Sequence, residues 1–112
     1  MDFVRVAKVY ASRESIRSAY PDLFARVSEI LFRLDPIGIN VEDNSDEYEP
    51  EVGTIIPRLA YVTTLDAVRF VVHDEFVKWF TAEVAGPEAR FTRIAEEIWA
   101  LRDLFPSIPP NS

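Results

Sequence analysis

The chain has 112 residues, which suits one domain, and 48% of them are hydrophobic, enough for a core that needs no disulfide or metal. It contains no cysteine and a single histidine, which excludes disulfides, iron–sulfur clusters, thiol nucleophiles and the usual zinc sites within one chain. A formal net charge of −7 argues against nucleic-acid binding through a basic surface; it either attracts a basic partner or simply keeps the protein soluble.

The N-terminal segment shows neither a targeting signal nor a clear periodicity. Charges at Arg5 and Lys8 interrupt it, so it lacks the apolar run of a signal peptide, and no run in the chain approaches the ~20 apolar residues of a membrane span. We therefore expect a cytoplasmic protein without membrane contact. Residues 1–11 are the least defined part: residues 3–10 are predicted to be helical or irregular, because a strand there would have to pair across a dimer.

The first main helix is predicted to run from Pro21 to just before Pro36. Proline suits the first turn of a helix, and the residue before a proline is pushed out of the α region. Residues 12–20 predict a shorter helix upstream. The apolar face of the main helix recurs at steps of three and four and consists of Leu23, Val27, Ile30, Leu31 and Leu34.

The second helix is predicted to begin between Asp46 and Pro50. Either Asp46 and Glu49 form a capping box, or Pro50 takes the first helical position after Glu49. Pro57, four residues after Gly53, predicts a kink or a break. The apolar face consists of Tyr48, Val52, Ile55, Ile56 and Leu59.

The third helix is predicted to start after Thr64, a favourable cap, and to extend to Gly86 and Pro87. Its first apolar face consists of Leu65, Val68, Val72, Phe76 and Trp79. A second apolar stripe lies where a surface helix would carry charges, so the helix is either central in the bundle or buried by self-association. The residues that would self-associate in a homodimer are Phe70, His73, Val77 and Phe80.

The fourth helix is predicted to follow Pro87. Its apolar face consists of Phe91, Ile94, Ile98, Leu101 and Phe105. Arg102 lies among apolar neighbours, so its guanidinium either reaches an acid or favours the C-terminus of this helix. Residues 106–112, rich in proline, predict a loose tail. Residues 1–112 are thus predicted to form a single all-α domain, a compact bundle of four main helices.

The connector between the first and second helices contains a dense acidic run. Six of the ten residues from 42 to 51 are acidic, namely Glu42, Asp43, Asp46, Glu47, Glu49 and Glu51. A calcium loop of the helix–loop–helix type requires a central glycine and ligands at alternate positions, and both are missing here. We therefore predict no metal site; the acids are expected to cap the second helix and to face water.

His73 could act as a proton donor or a switch, but a catalytic triad cannot be assembled around it without further partners. We expect it to be partly buried and hydrogen-bonded. Trp79 and Trp99 are predicted to lie in the core or at its edge, where either could also anchor a partner. No glycine-rich phosphate loop or nucleophile elbow occurs, so the sequence indicates no catalytic residue and no cofactor.

The connector also carries a recognisable motif. The residues Asp35, Pro36, Ile37, Gly38 and Ile39 are followed by Asp46, Glu47 and Tyr48, and then by Glu51, Val52 and Ile55. This pattern, over about residues 30–60, resembles the YugE-like family of small helical bacterial proteins of unknown function. The resemblance implies a compact helical fold and a bacterial source, and it implies no catalytic residues. Independently of it, the motif is interpreted as a structural hinge, with Gly38 permitting a positive φ.

Three functional hypotheses follow. The first is a non-enzymatic interaction protein, an adaptor or an immunity-type inhibitor that meets a basic partner through the acidic loop, residues 42–48. The partner-binding residues would be Glu42, Asp43, Asp46, Glu47 and Tyr48. The second is a domain that binds a divalent metal or small ligand through Asp35, Asp43, Asp46 or Glu47 for binding or hydrolysis, and the third is a purely structural homodimer.

Overall fold

The computed structural model describes residues 13–38 and 48–107, and within these ranges the chain is helical with no strand. The predicted all-α class is confirmed, and four longer helices account for the predicted bundle, namely Pro21–Leu34, Glu49–Arg58, Leu65–Trp79 and Thr92–Trp99. The α-helices are α1 (13–19), α2 (Pro21–Leu34), α3 (Glu49–Arg58), α4 (Leu65–Trp79), α5 (Ala82–Ala85) and α6 (Thr92–Trp99). Short 3-10 turns span Leu59–Tyr61, Glu88–Phe91 and Arg102–Leu104. The predicted segment 3–10 lies outside the described residues.

Helix α4 lies at the centre of the bundle and packs against α3, α5 and α6. Its Phe76 side chain is fully buried, with ring centroids 5.8 Å from Tyr48, 5.1 Å from Phe91 and 5.8 Å from Phe80. Tilted aromatic pairs at such spacings are favourable beyond the area they bury. The prediction that this helix is central is therefore confirmed within a single chain.

The boundaries of α2 follow the prolines as predicted. Pro21 opens the helix, Leu34 ends it, and Asp35 after it adopts a left-handed conformation with φ of 45° and ψ of 63°. The amide of Asp35 donates to the carbonyl of Leu31 at 2.8 Å, which closes the last turn. All five residues of the predicted apolar face are buried or pack against the core.

Helix α3 begins at Glu49, with Tyr48 as its N-cap. It therefore starts one residue before Pro50, which one of the two predictions placed at the first helical position. The alternative cap, Asp46, lies outside the described residues. Pro57 is inside the helix, which ends one residue later and continues as a 3-10 turn. A Cβ added to Gly53 would lie 3.0 Å from the Cα of Arg13, so the glycine permits α1 to approach α3 closely.

The predicted extension of the third helix to Gly86 is wrong, because α4 ends at Trp79. Phe80 leaves the helical region with φ of −117° and ψ of −89°, and the Thr81 hydroxyl accepts a 3.1 Å hydrogen bond from the amide of Val84. Such a side-chain bond caps a new helix, here α5, and competes with continuation of the old one. At the predicted tail, Pro106 is buried and residues 108–112 lie outside the described part.

Candidate protein-interaction site at the base of the acidic loop

Two side chains close the base of the acidic loop. The hydroxyl of Tyr48 donates a 2.5 Å hydrogen bond to Oδ1 of Asp35, thirteen positions earlier in the chain. Tyr48 is completely buried, so its ring belongs to the core while its hydroxyl reaches the end of α2. A hydrogen bond to a carboxylate is stronger than one between neutral groups, and this one joins the two points between which the connector runs.

The local sequence explains why the chain turns here. Aspartate is one of the few residues that visit the left-handed region readily, and Asp35 occupies it at the end of α2. Gly38 also has a positive φ, of 70°, as the hinge interpretation predicts. Ile37 packs against the core from the same turn. The motif from Asp35 to Gly38 is therefore a helix stop that directs the chain into the loop.

Arg90 links this turn to the next part of the bundle. Its Nη1 atom donates to the carbonyl oxygens of Ala85 at 3.1 Å, Val84 at 3.2 Å and, at the limit of hydrogen-bond distance, Pro36 at 3.5 Å. Gly86 has a φ of 75°, and a Cβ there would lie 2.7 Å from the Cζ of Arg90. A cation that binds the carbonyls at a helix C-terminus is stabilising, so Arg90 supports both α5 and the loop base.

His73 completes the contacts on this side of α4. Its Nε2 lies 2.8 Å from the carbonyl oxygen of Gly86, and because that oxygen can only accept, Nε2 carries the proton. The imidazole also lies 5.5 Å from the ring of Phe91. The expectation of a partly buried, hydrogen-bonded histidine is confirmed.

The structure separates the predicted partner-binding residues. Glu42, Asp43, Asp46 and Glu47 lie outside the described residues. Tyr48 is fully buried, so its assignment as a residue that contacts a partner is wrong; it anchors the loop instead.

Two further acids at the start of α3 also differ from the prediction that they face water. Glu51 is only 4% exposed. Glu49 forms an ion pair with Arg17 of α1, and its side chain is mostly buried. The pair of Glu49 with Arg17 joins α1 to α3, a contact between distant residues that no local pattern indicates.

The predicted self-association residues do not form one continuous exposed stripe. Phe70 is 53% exposed, whereas Val77 and Phe80 are partly buried against the core and His73 is bonded to Gly86. Val77 and Phe80 are covered from within the chain because α4 is packed on several sides. Trp99 lies at the core edge, as predicted, and Trp79 is partly buried, with its Nε1 donating a 2.9 Å hydrogen bond to the hydroxyl of Thr54.

Most cations of the described residues serve internal contacts. Those paired with a carboxylate within 4.0 Å are Arg13, Arg17, Arg33, Arg58, Arg69, Lys78 and Arg93. Arg102 donates to the carbonyl of Trp99 at 3.1 Å and lies over its ring, so the reading in which it favours the helix C-terminus is confirmed. Four exposed acids of the described part have no cation partner, namely Asp22, Glu83, Glu96 and Asp103.

The ion pairs shift the acidity of two carboxyl groups. Arg58 donates to Asp74 at 2.7 Å and to Glu75 at 2.6 Å, and its hydrogen bond lowers the pKa of Asp74, with Lys78 at 3.2 Å adding to the effect. Arg33 in the same way lowers the pKa of Glu97. The first pair joins α3 to α4 and the second joins α2 to α6, so the cations act as links between helices.

No group of three or more His, Cys, Asp or Glu side chains in ranges 13–38 and 48–107 could hold a metal ion. Asp35, the one residue of the metal hypothesis that these ranges include, accepts the hydroxyl of Tyr48. None of the helices described is long and apolar enough to cross a membrane.

No family model, curated protein or solved structure matches the chain. The resemblance to the YugE-like family therefore stays a prediction. The physical interpretation of its motif as a hinge rests on the geometry of Asp35, Gly38 and Tyr48 alone.

Tyr48→Phe tests the bond at the loop base. The ring stays in the core but the carboxylate of Asp35 loses this hydrogen bond, and we expect the free energy of unfolding to fall by about 1.5–3 kcal/mol, the usual contribution of a hydrogen bond to a charged group. Urea denaturation measures this change in the free energy of unfolding. The matched control is Tyr61→Phe, at a residue 64% exposed, which should change little. Equal effects of the two substitutions would show that the hydroxyl of Tyr48 contributes no more to stability than the exposed hydroxyl of Tyr61.

The lowered pKa of Asp74 predicts a pH dependence of stability. Its folded-state pKa lies below the unfolded value of about 4, so its contribution is complete above that pH and is lost as the pH falls through the folded-state pKa. Asp74→Asn should therefore be less stable than the wild type at neutral pH and lose less stability on acidification. Denaturation at a series of pH values checks this. Asp103→Asn breaks no ion pair and should show the same dependence of stability on pH as the wild type. If Asp74→Asn also shows the wild-type dependence on pH, the lowered pKa of Asp74 is contradicted.

Proposed function

We propose that the chain is a non-enzymatic protein–protein interaction module that meets a basic protein through the acidic loop. The observation that carries the proposal is the bond between Tyr48 and Asp35, which ties the end of the loop to the helix before it. Four acids of the loop, Glu42, Asp43, Asp46 and Glu47, follow one another between these anchors.

Closing a loop at its base favours binding. A segment held at both ends has fewer conformations than a free tail, so less entropy is lost when a partner orders it. Both anchors are held by the fold, since Tyr48 packs against Phe76 in the core and the amide of Asp35 donates to the carbonyl of Leu31 at the end of α2. Both ends of the acidic segment are thus held by the fold.

The charge distribution supports a basic partner. The described cations are mostly engaged with internal carboxylates, while the net charge of −7 leaves an excess of acids. An acidic surface steers a basic protein toward it and speeds the encounter, and like-charged proteins are repelled. An adaptor or an immunity-type inhibitor in a bacterial cytoplasm is the role that this proposal describes.

Capture from a lysate of the source organism tests the proposal. A loop variant with Glu42→Gln, Asp43→Asn, Asp46→Asn and Glu47→Gln is compared with a control variant with Asp22→Asn, Glu83→Gln, Glu96→Gln and Asp103→Asn. Both variants change the net charge equally, and the control residues have no ion pair to break. We expect one basic protein to bind the wild type and the control, and to be lost with the loop variant.

The same capture is repeated at about 1 M salt, where charges are screened beyond about 3 Å and the partner should be released. If the loop variant retains the partner as well as the control does, the acidic loop is not the binding site. If both variants lose it equally, only the total charge matters, and the proposal of a defined site fails.

A further inference from the structure

The break between α4 and α5 is confined to two residues. The amide of Phe80 still donates to the carbonyl of Phe76 at 3.0 Å, and the chain is helical again over Ala82–Ala85. Phe80, with ψ of −89°, and Thr81, with φ of −172° and ψ of 168°, are the residues between the helices, and both depart from helical angles. Rotation of these two residues into the α region would join α4 and α5 into one continuous helix.

Polar contacts hold the chain in the broken form. The hydroxyl of Thr81 accepts from the amide of Val84 at 3.1 Å, and Arg90 donates to two carbonyls at the end of α5. His73 donates to the carbonyl of Gly86 at 2.8 Å, which ties the end of α5 to the middle of α4. This last bond cannot persist in a continuous helix, because Gly86 would then lie about 20 Å beyond His73 along the axis.

The sequence pattern favours the continuous helix. The second apolar stripe of α4 extends into α5 at steps of three and four, which is the spacing of a coiled-coil seam. A continuous helix would align the whole stripe on one face, whereas the break at Thr81 divides it. The residues of this stripe are Phe70, His73, Val77, Phe80 and Val84.

A continuous helix would carry the rest of the chain away from its own core. Phe91 is fully buried, and its ring lies 5.1 Å from that of Phe76. In a continuous helix Gly86 would lie about 15 Å beyond Phe76 along the axis. Residues 87–91 span at most about 17 Å, so Phe91 could return only if the 3-10 turn Glu88–Phe91 were fully extended. The same contacts with α2 and α4 can be made on a second copy without that cost.

We propose that the hinge contacts, made by Thr81, His73 and Arg90, keep the chain from Gly86 onward packed on its own core. When they are lost, α4 continues into α5 and two copies exchange this part of the chain. Helix α6 then makes its native contacts on the partner copy, and the two continuous helices pair through their aligned stripes. The exchange leaves both ends of the acidic loop within one chain, because they precede Gly86.

An open variant, with His73→Ala and Thr81→Ala, tests the hinge contacts. It removes the bond to Gly86 and the cap of α5, and Thr64→Ala is the matched control because it removes the cap of α4 instead. Each protein is refolded from urea over a range of chain concentrations, and sedimentation equilibrium measures its mass. We expect the open variant to raise the association constant for dimerisation by about tenfold or more, and the control to match the wild type.

The addition of Ala82→Pro distinguishes exchange from surface association. Ala82 is the first residue of α5, a position that suits proline, and Thr81 before it is already extended, as proline favours. Inside a continuous helix the same proline would remove a hydrogen bond and clash with the preceding turn. Added to the open variant, it should therefore restore the monomer while circular dichroism shows that the protein remains helical.

A dimer that persists with Ala82→Pro would be held by surface contacts rather than by exchange, and would overturn the inference. An open variant that is folded and associates no more than Thr64→Ala would overturn it as well. If the open variant does not fold, Thr81→Ala alone is compared with Thr64→Ala by the same measurement. That single variant should raise the association constant by about fivefold, the usual effect of a lost cap, and an unchanged constant contradicts the role of the hinge contacts.

Discussion

The hydrogen bond between Tyr48 and Asp35 is the interaction on which the rest of the arrangement depends. It joins the core to the surface, because the ring of Tyr48 packs 5.8 Å from Phe76 while its hydroxyl meets a carboxylate at the end of α2. The left-handed turn at Asp35 places that carboxylate within reach. Both ends of the connector that carries the acidic run are therefore held by the fold, as a binding loop on a rigid scaffold requires.

Charge has two separate roles in this protein. Arginines of the described part join helices, as Arg33 does with Glu97 and Arg58 with Asp74, so most of the positive charge has an internal function. Within residues 13–38 and 48–107, four exposed acids, Asp22, Glu83, Glu96 and Asp103, have no cation partner, and four further acids follow one another in the loop sequence. Like charges repel one another, and a basic partner would reduce that repulsion. Structure and proposed binding thus draw on different charges.

Features set by neighbouring residues could be predicted from the sequence. Proline positions define both ends of α2. Thr64 caps α4, since its hydroxyl accepts a 3.0 Å hydrogen bond from the amide of Ala67. The apolar periodicities identify the residues of the core. The end of α4 was missed because a cap at Thr81 outcompetes an apolar pattern that would allow the helix to continue.

The features missed around the site depend on contacts between distant residues. Glu49 is mostly covered because it pairs with Arg17 of α1, and Arg90 supports the loop base through carbonyls that no motif indicates. The acidic loop could be identified from composition alone, whereas the hydrogen bond between Tyr48 and Asp35 that closes its base could be identified only from the fold.

A double-mutant cycle of Asp35→Gly and Tyr48→Phe tests the central claim most directly. Glycine fits the left-handed conformation at position 35, so the substitution removes the carboxylate without straining the turn. If the two side chains act through their mutual bond, the double variant is less destabilised than the sum of the single ones, by about 1 kcal/mol or more. Strictly additive free energies of unfolding would show that the loop base is held by other contacts, and would contradict the account.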